Sequence, residues 1–215
     1  AHARSLLGET APWVNGARSA GEQAVQHKNN QQLAQDSDAA RELQALVLQA
    51  VQRDALFFSA ALPKRIFNPL FNRYSGATNF YGDHVDGAIL HSRATQQWVR
   101  TDISCTLFLA DPDEYEGGEL TVREHEGDKR IKLPAGDAIL YPGSTVHQVA
   151  PVTRGARLAS FFWVESMVRS TEQRRLLFDM DMALLQLRAS AGERDPAVVR
   201  LTGTYHNLLR MWADS

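Results

Sequence analysis

The chain has 215 residues, 44% of them hydrophobic and 22% charged, a composition of ordinary globular domains that excludes disordered and fibrous classes. With 23 basic against 25 acidic residues the formal charge is -2, so no global positive field exists to hold nucleic acid or an anionic membrane surface. The single cysteine, Cys105, cannot close an internal disulfide, and its apolar surroundings mark it as a core residue.

No apolar run approaches the roughly 18 residues of a membrane span, and no signal-like apolar stretch follows Ala1-His2-Ala3-Arg4. A soluble, cytoplasmic protein with no membrane and no nucleic-acid partner is expected. The missing initiator Met points to processing or trimming.

Residues 1–57 read as an extended segment and a supporting helix. The segment is polar around Lys28-Asn29-Asn30-Gln31-Gln32, and the helix starts at an N-cap, Asp36 or Ser37. Leu43, Leu46, Val47, Ala50 and Val51 recur with helical spacing, so one face packs on the rest of the chain. Residues 58–166 read as strands: residues 103–109, 119–123, 138–141 and 158–164 are rich in β-branched and aromatic side chains. Turns at Gly117-Gly118, Pro134-Ala135-Gly136, Pro142-Gly143 and Arg154-Gly155 separate them, which predicts a closed β-sandwich or barrel such as a jelly-roll.

Residues 167–215 read as a helical pair. Ser170 with Gln173 forms a capping box, and Leu176, Leu177, Met180, Ala183, Leu184 and Leu187 make the buried stripe. Asp195-Pro196 opens the second helix as N-cap and N1, with Val198, Leu201, Tyr205, Leu208 and Trp212 facing inward. Gly192 lies in the short connection, so the two helices run antiparallel. Their apolar faces also offer a homodimer surface.

The chemistry concentrates in a few residues. His84-Val85-Asp86 puts two metal ligands on one face of a strand, a weak signal alone, since a surface pair looks the same. His147 lies in an apolar strand segment after Tyr141-Pro142-Gly143, where a histidine needs a partner. Two histidines and a carboxylate leave positions open on a non-heme Fe(II), yet zinc accepts the same set, so redox and hydrolytic chemistry both stay open. Arg157 favours the former, because a guanidinium grips a carboxylate bidentately and would hold the far end of a metal-chelating diacid. If Thr153-Arg154-Gly155 is a hairpin loop with Gly155 left-handed, Val152 pairs with Ala156, and His147 and Arg157 share one face.

Other candidates carry less. Glu124-His125-Glu126 and the acidic run Asp111, Asp113, Glu114, Glu116 read as solvated loops, and His91 and Arg93 as lid residues near substrate. His206 is a helix-surface residue, and Tyr141 packs beneath the site. Loops near residues 76–82, 87–100 and 111–118 are expected to meet substrate. No nucleophile elbow and no phosphate-cradling glycine loop occurs in the sequence.

The stretches Asn72-Arg73-Tyr74-Ser75-Gly76, Tyr81-Gly82-Asp83-His84-Val85-Asp86, Glu116-Gly117-Gly118-Glu119-Leu120, Leu140-Tyr141-Pro142, and His147 with Arg157 together resemble the Fe(II)/2-oxoglutarate-dependent dioxygenases. Within them the chain resembles the bacterial PKHD-type hydroxylases, from about Trp13-Val14-Asn15-Gly16 to the C-terminal helices, with the family's usual N-terminal segment shortened. The resemblance implies a double-stranded β-helix and a hydroxylase that couples decarboxylation of 2-oxoglutarate by O2 to C–H hydroxylation. It implies His84, Asp86 and His147 as iron ligands, Arg157 as the partner of the far 2-oxoglutarate carboxylate, Tyr74 beside that co-substrate, and ascorbate as reductant. Asn72 matches loosely an Asn-x-Tyr pattern of related nucleic-acid demethylases. The substrate is left between a protein or peptide side chain and a small molecule. Oxidative demethylation of a nucleic-acid base and non-enzymatic metal or 2-oxoglutarate sensing are the alternatives.

Overall fold

The computed structural model describes residues 2–19, 27–92 and 94–214. In chain order the elements are α1 (His2–Leu6), β1 (Trp13–Asn15), β2 (Lys28–Asn29), β3 (Gln31–Leu33), α2 (Asp38–Arg53), α3 (Ala55–Ala61), β4 (Pro63–Ile66), β5 (Leu70–Tyr74), β6 (Phe80–His84), β7 (Ile89–Ser92), β8 (Gln97–Arg100) and β9 (Ile103–Phe108). They continue as β10 (Tyr115–Gly117), β11 (Leu120–Glu124), β12 (Gly127–Ile131), β13 (Ala138–Pro142), β14 (His147–Val149), β15 (Val152–Gly155), β16 (Arg157–Ser166), α4 (Thr171–Ala191) and α5 (Pro196–Trp212).

A seven-stranded major sheet runs β1-β3-β5-β16-β9-β13, with β4 also paired to β16. A five-stranded minor sheet runs β12-β11-β14-β6-β2, and the ribbons β10-β15 and β7-β8 flank the two. The sheets face one another as a double-stranded β-helix, a jelly-roll, with a cavity between them. Strands also come from upstream of residue 58: β1 and β3 extend the major sheet and β2 the minor one.

Alternation along each strand sorts side chains between cavity and core. On β5, Leu70, Asn72 and Tyr74 line the cavity while Phe71 joins the hydrophobic cluster beneath the sheet. On β16, Arg157, Phe161 and Trp163 line the cavity while Val164 joins the same cluster. Helix α2 covers that outer face. Ser37 is its N-cap, accepting from the Ala40 N–H, and Ala40, Leu43 and Val47 are its buried residues. The stripe is narrower than its apolar pattern predicts: Leu46 and Ala50 sit on the flank and are exposed.

Helix α3 ends on Leu62, which takes the left-handed conformation (φ 42°) and returns its N–H to the Phe58 carbonyl. This buried residue packs with Val168, Leu177, Leu184 and Tyr205, joining the β-core to the C-terminal pair α4 and α5. Ser170 and Asp195 cap the two helices as expected, Ser170 accepting from Gln173 N–H and Asp195 from Ala197 and Val198 N–H. Arg174 is buried and donates to the Val168 and Arg169 carbonyls, tying α4 to the end of β16. Leu176 and Leu201, expected inside, are exposed, because the pair buries one side of each helix against Leu62 and Val168.

The expected hairpin between His147 and Arg157 does not form. Gly155 is left-handed (φ 73°) as anticipated, but β15 pairs with β10, Tyr115 opposite Gly155. A Cβ on Gly155 would lie 2.1 Å from the Glu114 carbonyl oxygen, so glycine here permits that long-range approach rather than a local turn. After Gly155 the chain enters the major sheet, where Arg157 pairs with Tyr74, while His147 belongs to the minor sheet. Arg157 and His147 thus approach one cavity from facing sheets.

Candidate active site

His84 ends β6 and His147 begins β14, and the two are register partners across the antiparallel ladder. That pairing sets their ring centres 4.2 Å apart. Asp86 follows β6 and brings Oδ2 to 3.8 Å from Nε2 of His147. One ligand atom from each of the three lies within 4.8 Å of the others.

The second nitrogen of each ring faces backbone: His84 Nδ1 lies 2.8 Å from the Gly82 carbonyl oxygen and His147 Nδ1 lies 3.0 Å from that of Thr145. An acceptor there keeps the proton on Nδ1 and leaves the Nε2 lone pair for a metal. Ser104 Oγ donates to Asp86 Oδ2 at 2.6 Å, fixing the carboxylate from the facing sheet. Burial, then the neighbouring His147, holds the His84 pKa down at about 4, which favours the neutral, ligating imidazole.

The cavity has a volume of about 1260 Å³ and is lined from both sheets. Arg157 is 1% exposed in its wall, its guanidinium carbon 5.3 Å from the Tyr74 ring centre and 5.2 Å from that of Phe108. Its Nε and Nη1 meet no hydrogen-bond acceptor among the described residues. A buried guanidinium with unmet N–H donors fits a ligand carboxylate. Burial raises the Tyr74 phenol pKa against the opposing pull of Arg157, so Tyr74 stands there as a neutral donor. The nitrogen and oxygen donor set suits Fe(II), and the orphaned guanidinium suits a diacid that reaches it.

Residues 69–165 match the 2OG-Fe(II) oxygenase superfamily, and residues 172–214 match the PKHD-type hydroxylase C-terminal domain. A PKHD-type hydroxylase of Polaromonas sp. is 63% identical over 213 residues, spanning 99% of this chain and 93% of that protein. One from Verminephrobacter eiseniae is 61% identical over 213 residues with the same coverage, 99% and 93%. The chain belongs to the PKHD-type hydroxylases of the 2OG-Fe(II) oxygenase superfamily.

As a PKHD-type hydroxylase the protein is an oxidoreductase acting on paired donors, with Fe(II) and 2-oxoglutarate implied by family and by its His-Asp-His cluster. At the level of fold it is similar to the non-heme alpha ketoglutarate dependent carbocyclase SnoK of nogalamycin biosynthesis (TM-score 0.51, 16% identity, 80% of this chain and 76% of that one). The epimerase SnoN from the same biosynthesis is comparable (TM-score 0.50, 17% identity, 79% and 72%).

Around this hydroxylase cluster the remaining candidates sort themselves. Tyr141 packs edge-on against His147 with ring centres 4.9 Å apart. His91 lines the cavity rim and meets Trp98 edge-on, while Arg93 lies outside the described residues. Asn72 lines the cavity between Gln32 and Ala159 in register. His125, Glu124 and Glu126 lie at the tight turn of the exposed β11-β12 hairpin, and His206 lies on the surface of α5. The acidic run is engaged on the surface: Arg4 pairs with Glu114, and Arg154 with Glu116 at 2.8 Å. It contributes no cavity lining, and Cys105 is 1% exposed with its thiol pKa pushed up by burial.

Sequence reasoning missed the segment of residues 28–36, which lines one side of the cavity. Lys28 is its most conspicuous member, an ammonium 4.9 Å from the Tyr81 ring centre, with Tyr81 in turn stacked on His84 at 3.6 Å. Burial lowers the Lys28 pKa to about 8, against the raising influence of Asp86. Lys28-Asn29-Asn30-Gln31-Gln32 is polar at every position, so nothing local marks which of its side chains are buried.

Proposed function

We propose that His84, Asp86 and His147 hold Fe(II), and that Arg157 with Tyr74 anchors the far carboxylate of 2-oxoglutarate, for hydroxylation of a C–H bond in a peptide side chain or small molecule. The observation that carries this is the placement of three convergent ligand atoms and a buried, donor-rich guanidinium in walls of one cavity. Bound iron supplies the chemistry that couples decarboxylation of 2-oxoglutarate, to succinate and CO2, with transfer of an O2 oxygen to substrate. The protein's part is positional: Gly82 and Thr145 carbonyls hold the protons on Nδ1 of His84 and His147, and Ser104 Oγ orients Asp86.

Arg157 and Tyr74, each 1% exposed, supply paired donors in the cavity wall, where each charge-assisted hydrogen bond is worth more than at a surface. Ascorbate serves as the reductant that keeps the iron ferrous. The near-neutral net charge of -2 supports a substrate other than nucleic acid, and the lone buried thiol suits a reducing cytoplasm.

Two measurements test the assignment. Under anaerobic conditions Fe(II) plus 2-oxoglutarate should produce a visible charge-transfer band, absent in His84→Ala and displaced to at least about tenfold higher 2-oxoglutarate concentration in Arg157→Ala. Under air the loaded protein should release succinate from 2-oxoglutarate. A protein that binds Fe(II) yet gives neither band nor succinate is not an oxygenase of this type.

A further inference from the structure

Residues 28–33 cross from the minor sheet to the major one, β2 pairing with β6 and β3 with β5. The stretch is polar up to Leu33, a texture that normally faces water. Here every second side chain turns inward: Lys28, Asn30 and Gln32 are 8%, 1% and 5% exposed, and all three line the cavity. Oδ1 of Asn30 and Nε2 of Gln32 meet no hydrogen-bond partner among the described residues, while the Asn30 side chain also pairs with the Tyr74 phenol and, opposing burial, lowers its pKa. A buried polar atom without a partner is costly, so a wall that carries such atoms is shaped for a ligand that satisfies them.

The wall is held in place by its surroundings. Gly16 N–H donates to the Asn30 carbonyl at 2.9 Å, and a Cβ on Gly16 would fall 1.9 Å from Asn30 Oδ1, so a glycine is needed for the amide to keep its pose. Lys28 Nζ lies between the Tyr81 and Phe161 rings, 4.9 Å and 5.7 Å from their centres, one ring removed from His84. Arg157 is a second cation, on the facing sheet between Tyr74 and Phe108. The cavity of about 1260 Å³ exceeds the roughly 300–1,000 Å³ of sites for drug-sized ligands, so a five-carbon diacid at Arg157 leaves most of it free.

We propose that Lys28, Asn30 and Gln32 form the primary-substrate subsite, and that it selects a substrate bearing a carboxylate next to an amide. The proposal rests on the oxygenase assignment above. A fixed cation in a walled cavity selects ligands of opposite sign. The Asn30 and Gln32 N–H groups add donors for acceptor oxygens, and Asn30 Oδ1 accepts from an amide N–H. Phe161 and Trp163 cover the apolar body that brings the target C–H bond toward His84. An N-acyl amino acid, or the end of a short peptide, has this pattern of groups.

The test uses full-length protein loaded with redox-inert Zn(II) and saturating 2-oxoglutarate, probed by ligand-observed NMR with matched pairs of N-acetyl amino acids and their carboxamides. Wild type should bind the acids about tenfold more tightly than the amides. Lys28→Met should erase that preference, Lys28→Arg should keep part of it, and Gln32→Leu should weaken both members of each pair. Calorimetry should find 2-oxoglutarate affinity within about twofold of wild type in all three variants, a loss of less than half of one hydrogen bond. Equal binding of acids and amides by wild type, or no binding of either at millimolar concentration, overturns the proposal. So does a loss of 2-oxoglutarate affinity in Lys28→Met, which would make Lys28 a co-substrate ligand. Failure of wild type to bind 2-oxoglutarate sinks the oxygenase assignment instead, and the acid–amide comparison on metal-free protein still judges Lys28.

Discussion

Individual side chains in the cavity trade stability for chemistry, and the trade is measurable. Lys28 is charged at neutral pH although burial has lowered its pKa to about 8, so its folded state carries a cation that water would hold more cheaply. The stability of the wild type relative to Lys28→Met should therefore rise between about pH 8 and 10.5, as the lysine becomes neutral, in denaturant titrations across that range. His84 acts in the opposite window. Its folded pKa of about 4 lies below the unfolded value near 6.5, so between those values the unfolded chain binds more protons. Metal-free protein should lose about 2–3 kcal/mol of stability as pH falls from 6.5 to 4, and His84→Gln should flatten that slope in a series of denaturant titrations. Ser104 touches the ligand set only through Asp86, at 2.6 Å. Ser104→Ala should weaken Mn(II) binding, followed by electron paramagnetic resonance, about tenfold, with Ser104→Thr restoring most of it.

Elements place these side chains, and they explain which parts of the site were readable in advance. His84-Val85-Asp86 could be singled out because two ligands two residues apart need no distant partner to be noticed, but its weight, like that of His147 and Arg157, came from the family-like segments around it. The face shared by His147 and Arg157 was misjudged because Gly155 looks locally like a hairpin glycine. What decides its role is β10, whose Tyr115 comes from far upstream to pair with it. The stripe of Lys28, Asn30 and Gln32 was invisible for a related reason: the stretch is polar throughout, and burial of every second residue depends on β6 and β5 closing around it. The same contextual logic predicts the cost of filling Gly16. Gly16→Ala puts a methyl 1.9 Å from Asn30 Oδ1 and 3.0 Å from the Asn30 carbonyl oxygen, so the strand or the amide must move. A loss of about 1–3 kcal/mol in thermal or denaturant unfolding is expected, as for overpacking elsewhere.

Taken whole, the molecule is two sheets clasping a cavity, with α2 sealing the outer face of one and the α4-α5 pair clamped through Leu62 and Arg174. Among the described residues no helix is long and apolar enough to cross a membrane. Because the proposed ligands come from the minor sheet and Arg157 from the major one, a molecule bridging them should stabilise the closed sandwich. Saturating Zn(II) with 2-oxoglutarate at about 100 times its dissociation constant should add about 2.7 kcal/mol, read as a concentration-dependent rise in the thermal midpoint. Arg157→Ala should keep the rise due to Zn(II) and lose about half or more of that due to 2-oxoglutarate, as a tenfold weaker affinity implies. The crossing segment has a consequence of another kind. It lies apart in the chain from His84, Asp86, His147 and Arg157, so its cavity-facing residues can change one at a time while the reacting centre stays intact. A chain built this way can diverge toward new substrates by rewriting three alternate positions, and exchanging them between relatives should move preference without moving chemistry.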